Sequence, residues 1–335
     1  MMSFKKLVEL LLAFLGLLVI TSCALSDSTR VEPKPEPERN VLTNQVGTNG
    51  KVVAVKFDDT RSAHPQDGVE KADVVFVTQV EAGLTRVMAI YSSNYPEQVG
   101  PVRSARISDI DILAQFGRVG FMYSGAQSKL RPVLAAANIE NLSAERNPPS
   151  IYFRDPERIP PYAMMVRIPL LLEKAERVDL VSSIGWKHGK RSDFAKPVER
   201  VKISWPNARY AAVWNSEAKQ FDLEFNGAPN LAKSGMRLGS NSMVIQLVSI
   251  KPSEYGDKFG GITPKTQVVG TGRALLLRDG TVTQVNWSRE SAEADTIWTL
   301  EDGSPAKFAT GQVWIFLTDQ EPEITYPLVE AEPEK

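Results

Sequence analysis

One cysteine and two histidines, His64 and His188, are all that 335 residues offer of those two types. A disulfide within the chain is excluded, and so is a zinc site built on Cys and His spacing. A metal would have to be held by oxygen alone, or by oxygen with one His, and neither a metal nor another cofactor is expected. Charge of one sign is not in excess either. Thirty-nine Lys and Arg against forty Asp and Glu leave no polycationic footprint, which sets nucleic acid aside as a partner. The nucleophile motifs G-x-S-x-G and H-E-x-x-H are missing, and with them the most readable hydrolase classes. No period of the solenoid or propeller kind recurs.

The single cysteine, Cys23, closes a segment with the features of an export signal. Lys5 and Lys6 precede an apolar run, Leu10–Ile20, that falls short of the about 20 residues a spanning helix needs. Ile20-Thr21-Ser22-Cys23 has the form of a lipobox: aliphatic, small, small, Cys. Residues 1–22 are therefore expected to be a lipoprotein signal peptide and Cys23 the lipidated mature N-terminus. Acyl chains such as palmitate contribute about 0.8 kcal/mol per buried CH₂, so two or three of them hold a protein on a membrane without a spanning helix. Residues 23–50, centred on Glu32-Pro33-Lys34-Pro35-Glu36-Pro37-Glu38, read as an extended hydrated linker. The expected location is the extracytoplasmic face of the cell membrane.

Residues 51–194 read as an α/β layer domain. Val52–Phe57 is a β-branched run ending in Asp58-Asp59, followed by a turn-rich loop with Arg61, His64-Pro65-Gln66 and Gly68. Val74–Val80 and Leu84–Ser92 read as two strands around the turn Glu81-Ala82-Gly83. Both faces of the second are largely apolar, so Arg86 is expected to be buried and to need a carboxylate, with Glu81 the nearest in sequence. Gly100-Pro101-Val102-Arg103-Ser104-Ala105-Arg106 then opens a helix with Ile107, Ile110, Leu113 and Ala114 inward. Ser104 is its expected cap, and Arg103 and Arg106 flank an N-terminus whose free N–H groups favour an anion. Val119–Tyr123 reads as a strand, Ser124–Ser128 as a second strand-to-helix turn, and Lys129–Ala137 and Ile168–Val178 as helices. Between those helices lies a Pro-rich loop carrying Arg154, Asp155, Arg158 and Tyr162.

Residues 195–320 read as a mostly β domain. Short β-type runs such as Val201–Trp205, Tyr210–Trp214, Gln220–Phe225, Ser242–Ile250, Thr266–Gly270, Arg273–Arg278, Thr281–Trp287 and Gln312–Thr318 are broken by turn residues, with Asn226-Gly227, Asp279-Gly280 and Asp302-Gly303 as hairpin turns. Residues 321–335 form an acidic tail.

The string GPVRSAR at 100–106, EAGLTR at 81–86, the run FDD…HPQDGVEKADVV at 57–75, and GTGRALLLRDGTVTQVNW through GQVWIFL at 270–317 resemble the bacterial YerB-like lipoproteins, a two-part family of unknown function. The resemblance spans about residues 50–194 and 197–319. Departures are the Asp58-Asp59 and His64-Pro65-Gln66 positions, where that family usually has Asp-Asn and Arg-Pro-Gln, and Pro161-Tyr162-Ala163 in place of Pro-His-Asn. The Arg and Asp expected midway through the second part are not evident as a pair around Phe225–Ser240. The resemblance implies a surface-anchored envelope protein and carries no activity with it.

The candidate site residues are Asp58, Asp59, His64, Glu81, Arg86, Arg103, Ser104, Arg106, Arg154, Asp155 and Arg158. All sit at strand ends, helix starts or loops, and several Arg with a few acids suit a phosphate or carboxylate ligand. The leading expectation is a membrane-held protein, attached through Cys23, that binds an anionic wall polymer or an envelope protein. The alternative is a hydrolase of wall glycan or its phosphodiesters, with Asp58, Asp59 or Glu81 as acid or base and the Arg cluster stabilising charge.

Overall fold

The computed structural model describes residues 36–257 and 260–328. The expected signal peptide, Cys23, most of the linker and the end of the acidic tail lie outside the described residues. Among the described residues no helix is long and apolar enough to cross a membrane.

The first part runs β1 (Val53–Asp58), β2 (Val74–Gln79), β3 (Thr85–Tyr91), α1 (Ile107–Ala114), β4 (Val119–Met122), α2 (Arg131–Ala136), β5 (Ile139–Asn141), β6 (Tyr152–Arg154), β7 (Met164–Val166) and α3 (Ile168–Leu172). The second part continues with β8 (Lys187–His188), β9 (Lys196–Pro197), β10 (Arg200–Trp205), β11 (Ala208–Asn215), β12 (Gln220–Phe225), β13 (Ala228–Pro229), β14 (Gly239–Ser240) and β15 (Ser242–Leu247). It ends with β16 (Ile250–Gly256), β17 (Ile262–Thr266), β18 (Gly270–Arg278), β19 (Thr281–Arg289), β20 (Ile297–Thr299), β21 (Lys307–Phe308), β22 (Val313–Thr318) and β23 (Glu323–Thr325).

Strands from both parts share one large sheet, in the order β20-β19-β18-β15-β22-β2-β3-β1-β4-β5, with β9 added on β19. The junction is the parallel pair β2 and β22, in which Val74 lies beside Val313 and Val77 beside Phe316. Hydrogen bonding therefore runs across the boundary expected near residue 194. A second sheet, β13-β12-β11-β10-β23 with β14, comes from the later part.

Period-two alternation explains how one sheet serves two cores. Val53, Val55 and Phe57 of β1 join Val75, Val77 and Val87 on one face and pack on Ile203, Trp205, Tyr210 and Phe221 of the second sheet. Ala54, Val74, Phe76, Met88 and Ile90 face the other way, toward Ile112 and Leu113 of α1 and Leu134 of α2. Every residue of β1 and β3 is buried, as expected for strands covered on both sides.

The α/β expectation for the first part is met only in part, because strands dominate and the helices are short: eight residues in α1, six in α2 and five in α3. The expected helix Ile168–Val178 stops at Leu172. Leu171, Ala175 and Val178 are still buried in one core, but turns rather than a continued helix deliver the last two. In the later part, the expected run Ser242–Ile250 divides into β15 and the start of β16, and Thr266 closes β17. The hairpin turns form as their residues require. Asn226 and Gly227 have φ of 50° and 83°, and Asp279 and Gly280 of 51° and 69°.

Candidate functional site

The polar end of β1 organises the region. Because successive residues of a strand point to opposite faces, Asp58 and Asp59 diverge and take separate partners. Asp58 is fully buried and pairs in register with Arg86 of β3. Its Oδ1 accepts from the Thr60 N–H and hydroxyl, each at 2.7 Å. Its Oδ2 lies 2.6 Å from Arg103 Nε and 3.7 Å from an Arg86 terminal nitrogen, with no aligned hydrogen bond to either. Two guanidiniums thus share one carboxylate. Burial pulls the Arg86 pKa below its ordinary value; Asp58 opposes the shift, and the neighbouring charges of Arg103 and Arg106 add to it.

Asp59 turns toward the second sheet. Tyr210 and Thr85 donate their hydroxyls to it at 2.8 and 2.6 Å, and His64 Nε2 lies 2.9 Å from it. His64 is stacked on Phe225, with ring centroids 4.2 Å apart, and its Nδ1 lies 3.1 Å from Asn230 Oδ1. The Tyr210 phenol is held well above the ordinary tyrosine range, first by burial and then by the Asp59 charge.

The carboxylate expected to serve Arg86 is engaged elsewhere. Glu81 Oε1 lies 2.7 Å from Arg106 Nε and accepts the Thr263 hydroxyl of β17. The reason is steric: Glu81 sits in a tight turn with Ala82 at φ 56°, directed toward the β17 side, while Asp58 already occupies the register position beside Arg86. Burial would raise the Glu81 carboxyl, but Arg106 and Thr263 outweigh it and hold it below the ordinary range. Ser104 is likewise not the helix cap. Arg106 occupies the cap position of α1 and its N–H donates to the Asp109 carboxylate at 2.7 Å, so the helix end expected to await an anion already holds one. Ser104 Oγ instead lies 3.3 Å from Ser124 Oγ, and the Ala105 N–H donates to the Gly125 carbonyl at 2.9 Å. The two strand-to-helix turns noted in the sequence therefore lie side by side.

Asp109 also neutralises a charge that the sequence reading passed over. Lys56, inside the apolar run of β1, is fully buried with its Nζ 2.5 Å from Asp109 Oδ1 and 3.4 Å from the Thr78 hydroxyl. Desolvation pulls the Lys56 pKa down and Asp109 opposes it. A lysine inside the run Val53–Phe57, whose other members are Val, Ala and Phe, was the available signal.

The third group lies on the Pro-rich loop. Asp155 accepts from Lys233 Nζ at 2.9 Å and lies 3.3 Å from Arg158 Nε, while Arg158 donates to the Ala63 and Pro65 carbonyls at 3.0 and 2.5 Å. This clamps the loop carrying His64 to the loop carrying Tyr162. Between them opens a cleft of about 480 Å³ lined by residues that include His64, Asp155, Arg158, Tyr162 and Lys233. Arg103 carries its guanidinium 5.9 Å from the ring centre of Tyr162, one of the residues lining that cleft. Arg154 is exposed and stands apart, with no ion pair among the described residues. Lys56, Asp109, Tyr210, Asn230 and Lys233 complete the constellation that sequence alone missed; the last three are brought in by the second part of the chain. Among the described residues no group of three or more His, Cys, Asp or Glu gathers to hold a metal ion.

Comparison with known proteins follows the two-part division. The model described as the N-terminal domain of a protein of unknown function (DUF3048) matches residues 41–181, and that of its C-terminal domain matches residues 201–315. The chain belongs to the DUF3048 family. This DUF3048 chain is 24% identical over 306 residues to "Putative lipoprotein YerB" of Bacillus subtilis (strain 168), covering 89% of the chain and 90% of that relative. Its fold is similar to the crystal structure of the YerB protein from Bacillus subtilis, with a TM-score of 0.74 and 20% identity, over 86% of the chain and 99% of the other.

Proposed function

We propose that this chain is a lipid-anchored protein of the extracytoplasmic membrane face whose folded part binds an anionic ligand of the cell envelope, a wall polymer first and a partner protein second. The lipobox-like Ile20–Cys23 and the likeness to a Bacillus protein named as a putative lipoprotein support the anchor. One observation carries the ligand: Arg86 and Arg103 share the single carboxylate of Asp58, and Arg103 is 28% exposed beside Tyr162, which lines a cleft. An incoming carboxylate or phosphate would supply the charge that Asp58 alone does not, through the bidentate donors that a guanidinium offers. The hydrolase alternative needs two carboxylates facing one bond. Asp58 and Asp59 face opposite sides of the sheet, and no observation favours that reading.

Co-sedimentation of the full chain with cell-envelope material tests the proposal. Arg103→Ala should weaken retention at least several-fold in a variant that a circular-dichroism melt shows to be still folded at the assay temperature, with a midpoint lowered by the loss of a partner of Asp58. Retention at full strength would refute the role of Arg103. A Cys23→Ala form that still fractionated tightly with membranes would refute the anchor.

A further inference from the structure

The second sheet presents a basic hollow on its outward face. In β10 and β11, Val201, Ile203, Tyr210 and Ala212 point into the core, so Arg200, Lys202 and Arg209 point outward. The register sets Lys202 beside Ala211 and Ala211 beside Glu224, while Arg209 stands opposite Ser204. A short side chain, Ala211, thus interrupts a row of long ones, and the space above it is a hollow of about 440 Å³. Arg61, from the turn after β1, closes one side, and Asn207 and Asn226 complete the rim.

Its charge is one-sided. Four cations, Arg61, Arg200, Lys202 and Arg209, line it with one carboxylate, Glu224. Arg200 spends both terminal nitrogens on Glu224, at 3.2 and 2.5 Å, and that contact pulls the Glu224 carboxyl below its ordinary range. Lys202 meets Glu323 at 2.6 Å on an open surface where water screens the pair. Arg61 and Arg209 have no ion pair among the described residues. Guanidiniums left free at a concave surface in a chain of balanced charge mark a place where an anion lowers the energy. The two free side chains offer paired N–H donors in a plane, the geometry that matches phosphate oxygens.

We propose that this hollow is a binding site for a phosphate ester carried on a small polar group, held by Arg61 and Arg209 with Lys202 adding charge. The same group occurs free in solution and as a lipid headgroup, so two probes separate the sources. The full chain, immobilised in a neutral detergent, is titrated with radiolabelled glycerol 3-phosphate and, separately, with radiolabelled phosphatidylglycerol in the same detergent. Saturable binding of either probe is expected, weakened at least tenfold in Arg61→Ala/Arg209→Ala and unchanged in Lys129→Ala, a substitution of an exposed cation elsewhere. Both altered arginines are exposed, and a circular-dichroism melt verifies the fold of the double variant. Loss confined to glycerol 3-phosphate assigns a soluble ester, and loss confined to the lipid assigns a headgroup. No saturable binding, or a double variant within twofold of the unaltered chain, overturns the proposal. Arg103→Ala should leave this binding intact, which keeps a failure here distinct from a failure of the cleft.

Discussion

Replacing Asp109 by Asn isolates the buried pair beneath the candidate site. The change keeps the shape of the side chain and an oxygen able to accept the Arg106 N–H, while the charge goes and an NH₂ replaces the oxygen that accepted from Lys56. Lys56 is then left in a fully buried position with its carboxylate partner gone and the repulsion of the Arg106 and Arg86 charges unopposed by it. Breaking a buried ion pair from one side costs about 3–5 kcal/mol. Lys56→Met, by contrast, removes the cation and leaves Asp109 its bond to the Arg106 N–H. The double variant should recover most of the loss, giving a coupling of about 2 kcal/mol or more between the positions. Urea unfolding followed by the fluorescence of the six tryptophans measures all four corners of the cycle. There is also a pH signature. The folded-state pKa of Lys56 lies below its ordinary 10.5, so the unfolded chain binds more protons in that alkaline window. The stability of the unaltered chain relative to Lys56→Met should therefore rise as pH climbs from the folded pKa toward 10.5. Additive single effects, or a loss below about 1 kcal/mol for Asp109→Asn, would refute the claim that the charges are buried against each other.

Three further outcomes are expected. Glu81 is held below its ordinary 4.5 in the fold, so the stability it contributes is present above that value and lost as pH falls through the folded pKa; Glu81→Gln should flatten the acid limb of a stability profile there. Tyr210→Phe removes one of two hydroxyl donors to the buried Asp59 carboxylate and should cost about 1.5–3 kcal/mol in a urea titration. Gly83 has φ +64°, and a Cβ there would come within 2.5 Å of Pro206, so Gly83→Ala should destabilise by about 1 kcal/mol or more, read as a lowered thermal midpoint.

The strands and hairpin turns were legible because their signals are local. β-Branched and apolar runs placed β1 to β3 within a residue or two, and Asn-Gly and Asp-Gly turns form where positive φ is needed. Apolar spacing marked Ile168–Val178 as a helix, but the helix ends at Leu172, and turns bring Ala175 and Val178 into the core instead. Ion-pair partners were legible only as a list. The order of the sheet decides that Arg86 meets Asp58 and that Glu81 meets Arg106, and that order depends on pairings such as β2 with β22, some 240 residues apart. The same long-range pairing brings Tyr210, Asn230 and Lys233 to residues of the first part, which no local pattern announces.

A crystal structure of the chain grown with an added carboxylate or phosphate ligand tests the central claim most directly. The account predicts density for an anion within hydrogen-bond distance of Arg103 beside the Tyr162 ring. Arg103 still closed on Asp58 with no anion beside it, at ligand concentrations that fill other sites, would contradict it.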